Sequence, residues 1–158
     1  MQDFKNLNVW QLARQLTKSI DTLTMEFPVS EEFGRKSQMR RARVSICANI
    51  AEGCGRRGYR EFRRFVDVAM GSACELECET ILRFDVAFIT EAMQEQILET
   101  FIQIKRMLGS LANKLLSSIE KQRKLCRLNK EAARSTARIQ VTPQRANSWS
   151  RTLRADSR

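Results

Sequence analysis

Residues 38–62 read QMRRARVSICANIAEGCGRRGYREF, and the fold of the chain turns on how this stretch is parsed. Met39, Ala42, Ile46 and Ile50 recur at steps of three or four, the period of one face of an α-helix. A second row, Gln38, Arg41, Ser45, Asn49 and Glu52, follows the same period beside it. An ordinary solvent face tolerates Lys or Glu anywhere, whereas the middle of this row is short and uncharged. That favours a seam with another helix or another subunit, since side chains three and four apart line one face. The helix is expected over about Glu31–Glu52, with Ser30 as N-cap and Glu31 and Glu32 facing its positive end. Gly53, Gly55 and Gly58 then suggest a tight turn in which glycine leaves the helix through the left-handed region. Their spacing also matches the dinucleotide fingerprint, but that motif needs a strand before it and a helix after it within a βαβ unit. A helix precedes it here, so a dinucleotide site is set aside.

The flanking sequence supplies three more helices. Before the quoted stretch, Val9, Leu12, Leu16, Ile20, Leu23 and Phe27 mark a helix over about Leu7–Phe27, which Pro28 stops. After it, Phe62, Val66, Ala69, Ala73, Leu76 and Thr80 mark a helix over about Tyr59–Phe84. Phe65 and Val68 widen its apolar face. Thr90 is the expected N-cap of the last helix, where Ile97, Phe101, Ile104, Leu108, Leu111, Leu115 and Ile119 keep a heptad-like spacing. With only two Pro and six Gly in 158 residues, the chain is poorly punctuated for strands. The expected fold class is all-α, an up-down four-helix bundle over residues 1–118. Beyond a continuation of the last helix to about Arg134, residues 119–158 are expected to form a basic, largely disordered tail, because their few large apolar residues follow no sustained period.

The formal net charge of +10 is unevenly placed. Residues up to Ser118 carry a net of only +2, and the remaining forty carry +8. Within the bundle, residues 35–64 hold ten basic side chains against Glu52 and Glu61, while residues 75–99 hold seven acidic ones against Arg83. A basic band with a basic tail attracts polyanions, of which phosphate backbones are the commonest large kind. Arg40, Arg41, Arg43, Arg56, Arg57, Arg60, Arg63 and Arg64 are therefore the candidate phosphate contacts, with the tail arginines adding affinity and Trp149 available for stacking. The bland alternative is a solvated face with a solubilising tail. The acidic band of Glu75, Glu77, Glu79, Asp85, Glu91, Glu95 and Glu99 suits a different role, an adaptor that docks a protein partner.

Several function classes are disfavoured. The chain has no His, which removes the commonest metal ligand and the usual general base. Glu75 and Glu79 share a helix face, but bundle di-metal sites need Glu-x-x-His pairs as well. Five Cys without a CxxC pair give little reason to expect zinc; they are expected as reduced thiols. No metal and no cofactor are expected, and no enzymatic activity. There is no apolar run long enough to span a bilayer and no basic-then-apolar leader, so a cytoplasmic location is expected.

A longer ordered pattern runs through these segments: Phe27-Pro28, Glu32-Phe33-Gly34, Gln38-Met39-Arg40-Arg41-Ala42, Val44-Ser45-Ile46, Ala48-Asn49-Ile50-Ala51-Glu52-Gly53 and Gly55-Arg56. Phe4-Lys5-Asn6-Leu7 precedes it, and Glu61-Phe62, Ala69-Met70-Gly71-Ser72 and Glu75-Leu76-Glu77 continue it. Over about residues 4–118 this resembles the four-helix-bundle family of 23S ribosomal RNA intervening-sequence proteins. That family is similar to the accessory variability determinant of diversity-generating retroelements. The resemblance implies an up-down bundle assembling as a ring-shaped homopentamer, no enzymatic activity, and RNA or DNA as partner, with a reverse transcriptase as a further partner in the retroelement case. It also implies that Gln38, Arg41, Ser45, Asn49 and Glu52 lie at a helix or subunit seam. Arg35, Arg43 and Cys47 depart from the residues usual in the family, Leu, Ala and Pro, and the two arginines add positive charge.

Overall fold

The computed structural model describes residues 3–25 and 35–140, the side chains of residues 35, 36 and 137–140 excepted. A short 3-10 helix, Phe4–Asn6, is followed by four α-helices: α1 (Asn8–Met25), α2 (Arg35–Gly55), α3 (Tyr59–Asp85) and α4 (Glu91–Gln140). No strand occurs among the described residues. The protein is all-α, a four-helix bundle.

The chain divides into two units, Met1–Ile119 and Glu120–Arg158. In the first unit the apolar stripes meet in one core. α1 contributes Val9, Ala13, Leu16, Ile20 and Leu23, α2 contributes Met39, Ala42, Ile46 and Ile50, α3 contributes Phe62, Val66, Ala69, Ala73 and Leu76, and α4 contributes Ile97, Phe101, Ile104 and Leu108. The sequence periodicity named nearly all of these, since a 3.6-residue repeat leaves one face for the interior. Leu12, Leu111 and Ile119 are only half-buried. Phe27, Ser30, Glu31 and Glu32 lie outside the described residues. At the start of α4 the N–H of Met93 donates to Thr90 Oγ1 at 3.4 Å, the side-chain cap expected there.

The glycine turn requires a correction. α2 does not stop at Glu52 but runs through Gly53, Cys54 and Gly55, and no glycine among the described residues has a positive φ. The requirement at Gly53 is space: a Cβ there would lie 2.5 Å from Phe62 Cδ2 and 3.0 Å from Phe65 Cβ. A glycine thus lets α2 close onto the first turns of α3. The left-handed residue sits elsewhere, at Ala87 with φ 59°, just past the end of α3. There Phe88 N–H donates to the Arg83 carbonyl at 2.9 Å and Ala87 N–H to the Phe84 carbonyl at 2.8 Å, the bond pair of a Schellman cap.

Within the second unit, residues 120–140 are helical as the C-terminal part of α4, and residues 120–136 are exposed, Leu125 and Leu128 included. Residues 141–158, to which most of the expected disorder and the stacking candidate Trp149 belong, lie outside the described residues.

Candidate nucleic-acid interface

The end of α2 and the start of α3 form a corner with five arginines, Arg56, Arg57, Arg60, Arg63 and Arg64, and three carboxylates, Glu52, Glu61 and Asp67. The arrangement is built on Phe65. Its ring is buried against the α2–α3 contact that Gly53 permits, and two guanidiniums sit over it, Arg56 with Cζ at 4.8 Å from the ring centroid and Arg64 at 5.0 Å. Cation–π contact of this kind orients a cation without removing it from water. Each of the two also meets a carboxylate one turn away: Arg56 pairs with Glu52, and Arg64 lies 3.4 Å from Glu61. Arg63 is half-buried, with Nε 3.9 Å from Asp67.

Arg57 and Arg60 are different. Both are exposed, and neither forms an ion pair among the described residues. Between them stands Tyr59, 50% exposed, at the first position of α3. Sequence reasoning passed over Tyr59; the signal was available, since it is the chain's single Tyr and it sits inside an arginine run.

The other candidate arginines lie apart from this corner. Arg40 and Arg43 face α1. Arg40 Nε donates to Thr24 Oγ1 at 3.4 Å, and Arg43 lies 2.5 Å from Asp21 with its side chain only 12% exposed. Arg41 is exposed on the polar row, roughly 20 Å of helix away from the end of α2. Arg35 is placed in α2 by its backbone alone.

Along the polar row, Gln38, Arg41 and Glu52 are exposed while Ser45 and Asn49 are half-buried against α3. The Ser45 and Ser72 hydroxyls meet at 2.8 Å across the two helices, and Asn49 Nδ2 donates to Ser45 Oγ at 3.0 Å and to the Ser45 carbonyl at 2.8 Å. Short polar groups at this point allow the close helix approach that Gly53 allows about two turns further on.

The acidic band is partly consumed inside the fold. Lys105 of α4 donates to both Glu77 oxygens at 2.6 and 2.7 Å, and Arg83, 1% exposed, pairs with Glu79 at 3.2 Å. Glu75, Asp85, Glu91, Glu95 and Glu99 remain exposed. Because α3 climbs 1.5 Å per residue, about 37 Å separates Arg60 from Asp85. The bundle is basic at the α2–α3 corner and acidic at the far end of α3.

Among the described residues no group of three or more Cys, Asp or Glu is placed to hold a metal ion, and no helix is long and apolar enough to cross a membrane. Burial pushes the Cys47 and Cys54 thiols above the ordinary cysteine range; at Cys47 the hydrogen bond with Thr17 and the nearby Arg43 and Arg14 charges work against that rise. Cys74, Cys78 and Cys126 are exposed.

Comparison with known proteins accords with this architecture. The crystal structure of a protein of unknown function from the S23 ribosomal protein family, from Bacteroides thetaiotaomicron, is similar at 25% identity and a TM-score of 0.62, covering 66% of this chain and 97% of that one. A comparison with curated proteins returns no match. The family model described as 23S rRNA-intervening sequence protein matches residues 5–110. That match covers most of the 3-10 helix, all of α1, α2 and α3 and the first turns of α4, so the chain belongs to the 23S rRNA-intervening sequence protein family.

Proposed function

We propose that this protein is a non-enzymatic scaffold that binds RNA, or RNA paired with DNA, through phosphate contacts at the α2–α3 corner. The observation that carries this reading is the pair of exposed arginines without ion pairs among the described residues, Arg57 and Arg60, beside two more seated on Phe65. Membership of an RNA-associated family supports the choice of polyanion. Arg56 and Arg64 act as oriented secondary contacts, since Glu52 and Glu61 offset part of their charge. Arg63 contributes at the edge, Arg41 extends the track along α2, and Arg40 and Arg43 shape the α1–α2 contact more than they meet a ligand. Phosphate contacts fix position without reading sequence, so little base specificity is expected from the corner. Tyr59 offers a ring to an unpaired base between its two arginines.

We further infer that the bundle works as a ring-shaped homopentamer in the cytoplasm, with Gln38, Arg41, Ser45, Asn49 and Glu52 setting register along the seam. Exposed Val44, Val68, Ile81 and Leu82 on α2 and α3 support an interface between copies. Five copies of a modest basic corner bind one polyanion with an avidity beyond that of a single copy. The basic residues beyond Ile119 add affinity. The family's likeness to the retroelement accessory protein supports a reverse transcriptase as a further partner.

A second reading has its own observation. The exposed acids at the far end of α3 and the start of α4 suit an adaptor that docks a basic protein surface without binding nucleic acid. Fluorescence anisotropy with labelled RNA at low salt separates the two. The nucleic-acid reading expects binding that Arg57→Ala with Arg60→Ala weakens about tenfold or more, two lost charge-assisted contacts at about 1.5–3 kcal/mol each being the upper limit. Absent binding to RNA and DNA alike leaves the adaptor.

A further inference from the structure

The corner does not exhaust the exposed positive charge. On the outer side of α1 lies a groove of about 400 Å³ lined by Lys5, Trp10, Gln11, Arg14, Gln15 and Lys18. Its volume falls in the range of small-ligand sites. Trp10, Arg14 and Lys18 succeed one another at intervals of four, so they stand along one helix face, and Gln11 and Gln15 form the adjacent row. Lys5, Arg14 and Lys18 are exposed, and none forms an ion pair among the described residues. Three such cations in one groove repel one another and attract an anion.

The groove also holds an aromatic pair with a guanidinium over it. Phe4 meets Trp10 edge-to-face with centroids 4.9 Å apart, and the Arg14 guanidinium lies over Trp10 with Cζ 6.0 Å from its ring. The outermost member of this cluster is a planar cation, Arg14. Gln11 Nε2 donates to the Lys5 carbonyl at 2.9 Å, tying the 3-10 turn to α1 and fixing one wall. An acidic peptide would use the charges through the guanidinium edge and leave the Arg14 face uncovered. An unpaired nucleotide uses all of it: its base lies on a guanidinium or aromatic plane, its edge meets an amide, and its flanking phosphates meet cations.

We propose that this groove is a second nucleic-acid site, which takes one unpaired nucleotide of an RNA strand, the base on Arg14 and the flanking phosphates on Lys18 and Lys5. This rests on the reading that the protein binds RNA, and adds that part of the bound strand is single-stranded on α1. A base still stacked in a duplex presents no free face to Arg14.

The test uses the full chain with Trp149→Phe, which leaves Trp10 as the only tryptophan. A twelve-nucleotide single-stranded RNA and its duplex are titrated while Trp10 emission and RNA anisotropy are followed. The single strand is expected to change Trp10 emission and the duplex to leave it unmoved. Arg14→Lys keeps the charge and loses the plane, so it should weaken single-strand binding about fivefold or more with the salt slope unchanged. Lys18→Ala should instead lower the salt slope by about 0.7. RNA binding with Trp10 emission unmoved, or with Arg14→Lys equal to the parent, overturns the α1 site and leaves the corner standing. No RNA binding at low salt overturns both.

Discussion

Gly53→Ala is the substitution on which the account of the α2–α3 contact is most exposed. Gly53 lies inside a helix, where alanine is favoured over glycine by about 1 kcal/mol. Propensity alone therefore expects a more stable protein. The structure expects the opposite. The new Cβ would stand 2.5 Å from Phe62 Cδ2, 3.0 Å from Cε2 and 3.0 Å from Phe65 Cβ, whereas unstrained carbon contacts lie near 3.5–4.0 Å. The Phe62 ring would have to retreat by about an ångström into a core where it is 7% exposed. Overpacking of this kind typically costs about 1–3 kcal/mol, so the propensity gain is cancelled and the net loss reaches up to about 2 kcal/mol. Gly71 and Gly109 are also helical, and a Cβ added at either would meet no atom within 4 Å, so each should gain about 0.5–1 kcal/mol on the same change. Urea unfolding at one fixed protein concentration measures all three, read as a shift in midpoint at constant slope. Gly53→Ala matching the gain of Gly71→Ala would refute the close-approach argument. Because Phe65 carries Arg56 and Arg64, the Gly53 variant should also bind RNA more weakly than its residual folded fraction alone accounts for.

Three further outcomes follow from the same geometry. Ala87→Gly removes a Cβ from a left-handed residue at φ 59° and should raise stability by about 0.5–1 kcal/mol in the same urea assay. Arg83→Leu leaves the half-buried Glu79 without its 3.2 Å partner and should cost about 3 kcal/mol, seen as a lowered thermal midpoint. Under native conditions a thiol reagent should modify Cys74, Cys78 and Cys126 rapidly and Cys47 and Cys54 slowly. Folding raises the last two thiols above their unfolded value, so the native state holds their protons longer. Their stabilising effect is complete below the ordinary cysteine range and is lost as pH climbs through and above about 9, which pH-dependent unfolding would show as falling stability.

What could be read in advance was whatever depends on local periodicity. The stripe Met39, Ala42, Ile46, Ile50 is buried throughout because position along a helix sets its facing. What could not be read depends on partners distant in sequence. Arg43 counts as basic surface in a charge tally, yet Asp21 on α1 holds it at 2.5 Å. Lys105 and Glu77 stand 28 residues apart and meet only once α3 and α4 pack. Gly53 resembles a turn residue because a sequence does not show that an aromatic ring will occupy the space beside it. The helix beyond Ile119 is easy to underestimate for another reason: Lys, Arg, Gln, Leu and Ala propagate a helix without any apolar stripe to announce it. In the α2–α3 corner four of the five arginines are exposed, and only the packed structure separates Arg57 and Arg60 from Arg56 and Arg64, which Glu52 and Glu61 pair.

Whether the basic corner engages phosphates is read most directly from the salt dependence of RNA affinity. A plot of log K against log salt should fall with a slope of at least about −1.4 per engaged copy, the value for two phosphates neutralised on a single strand by Arg57 and Arg60. It should lose about 1.4 of that slope in the Arg57→Ala, Arg60→Ala protein, the secondary arginines, the α1 groove and the tail keeping the rest. An affinity independent of salt in the unaltered protein, or a slope that the two substitutions leave unchanged, would contradict it.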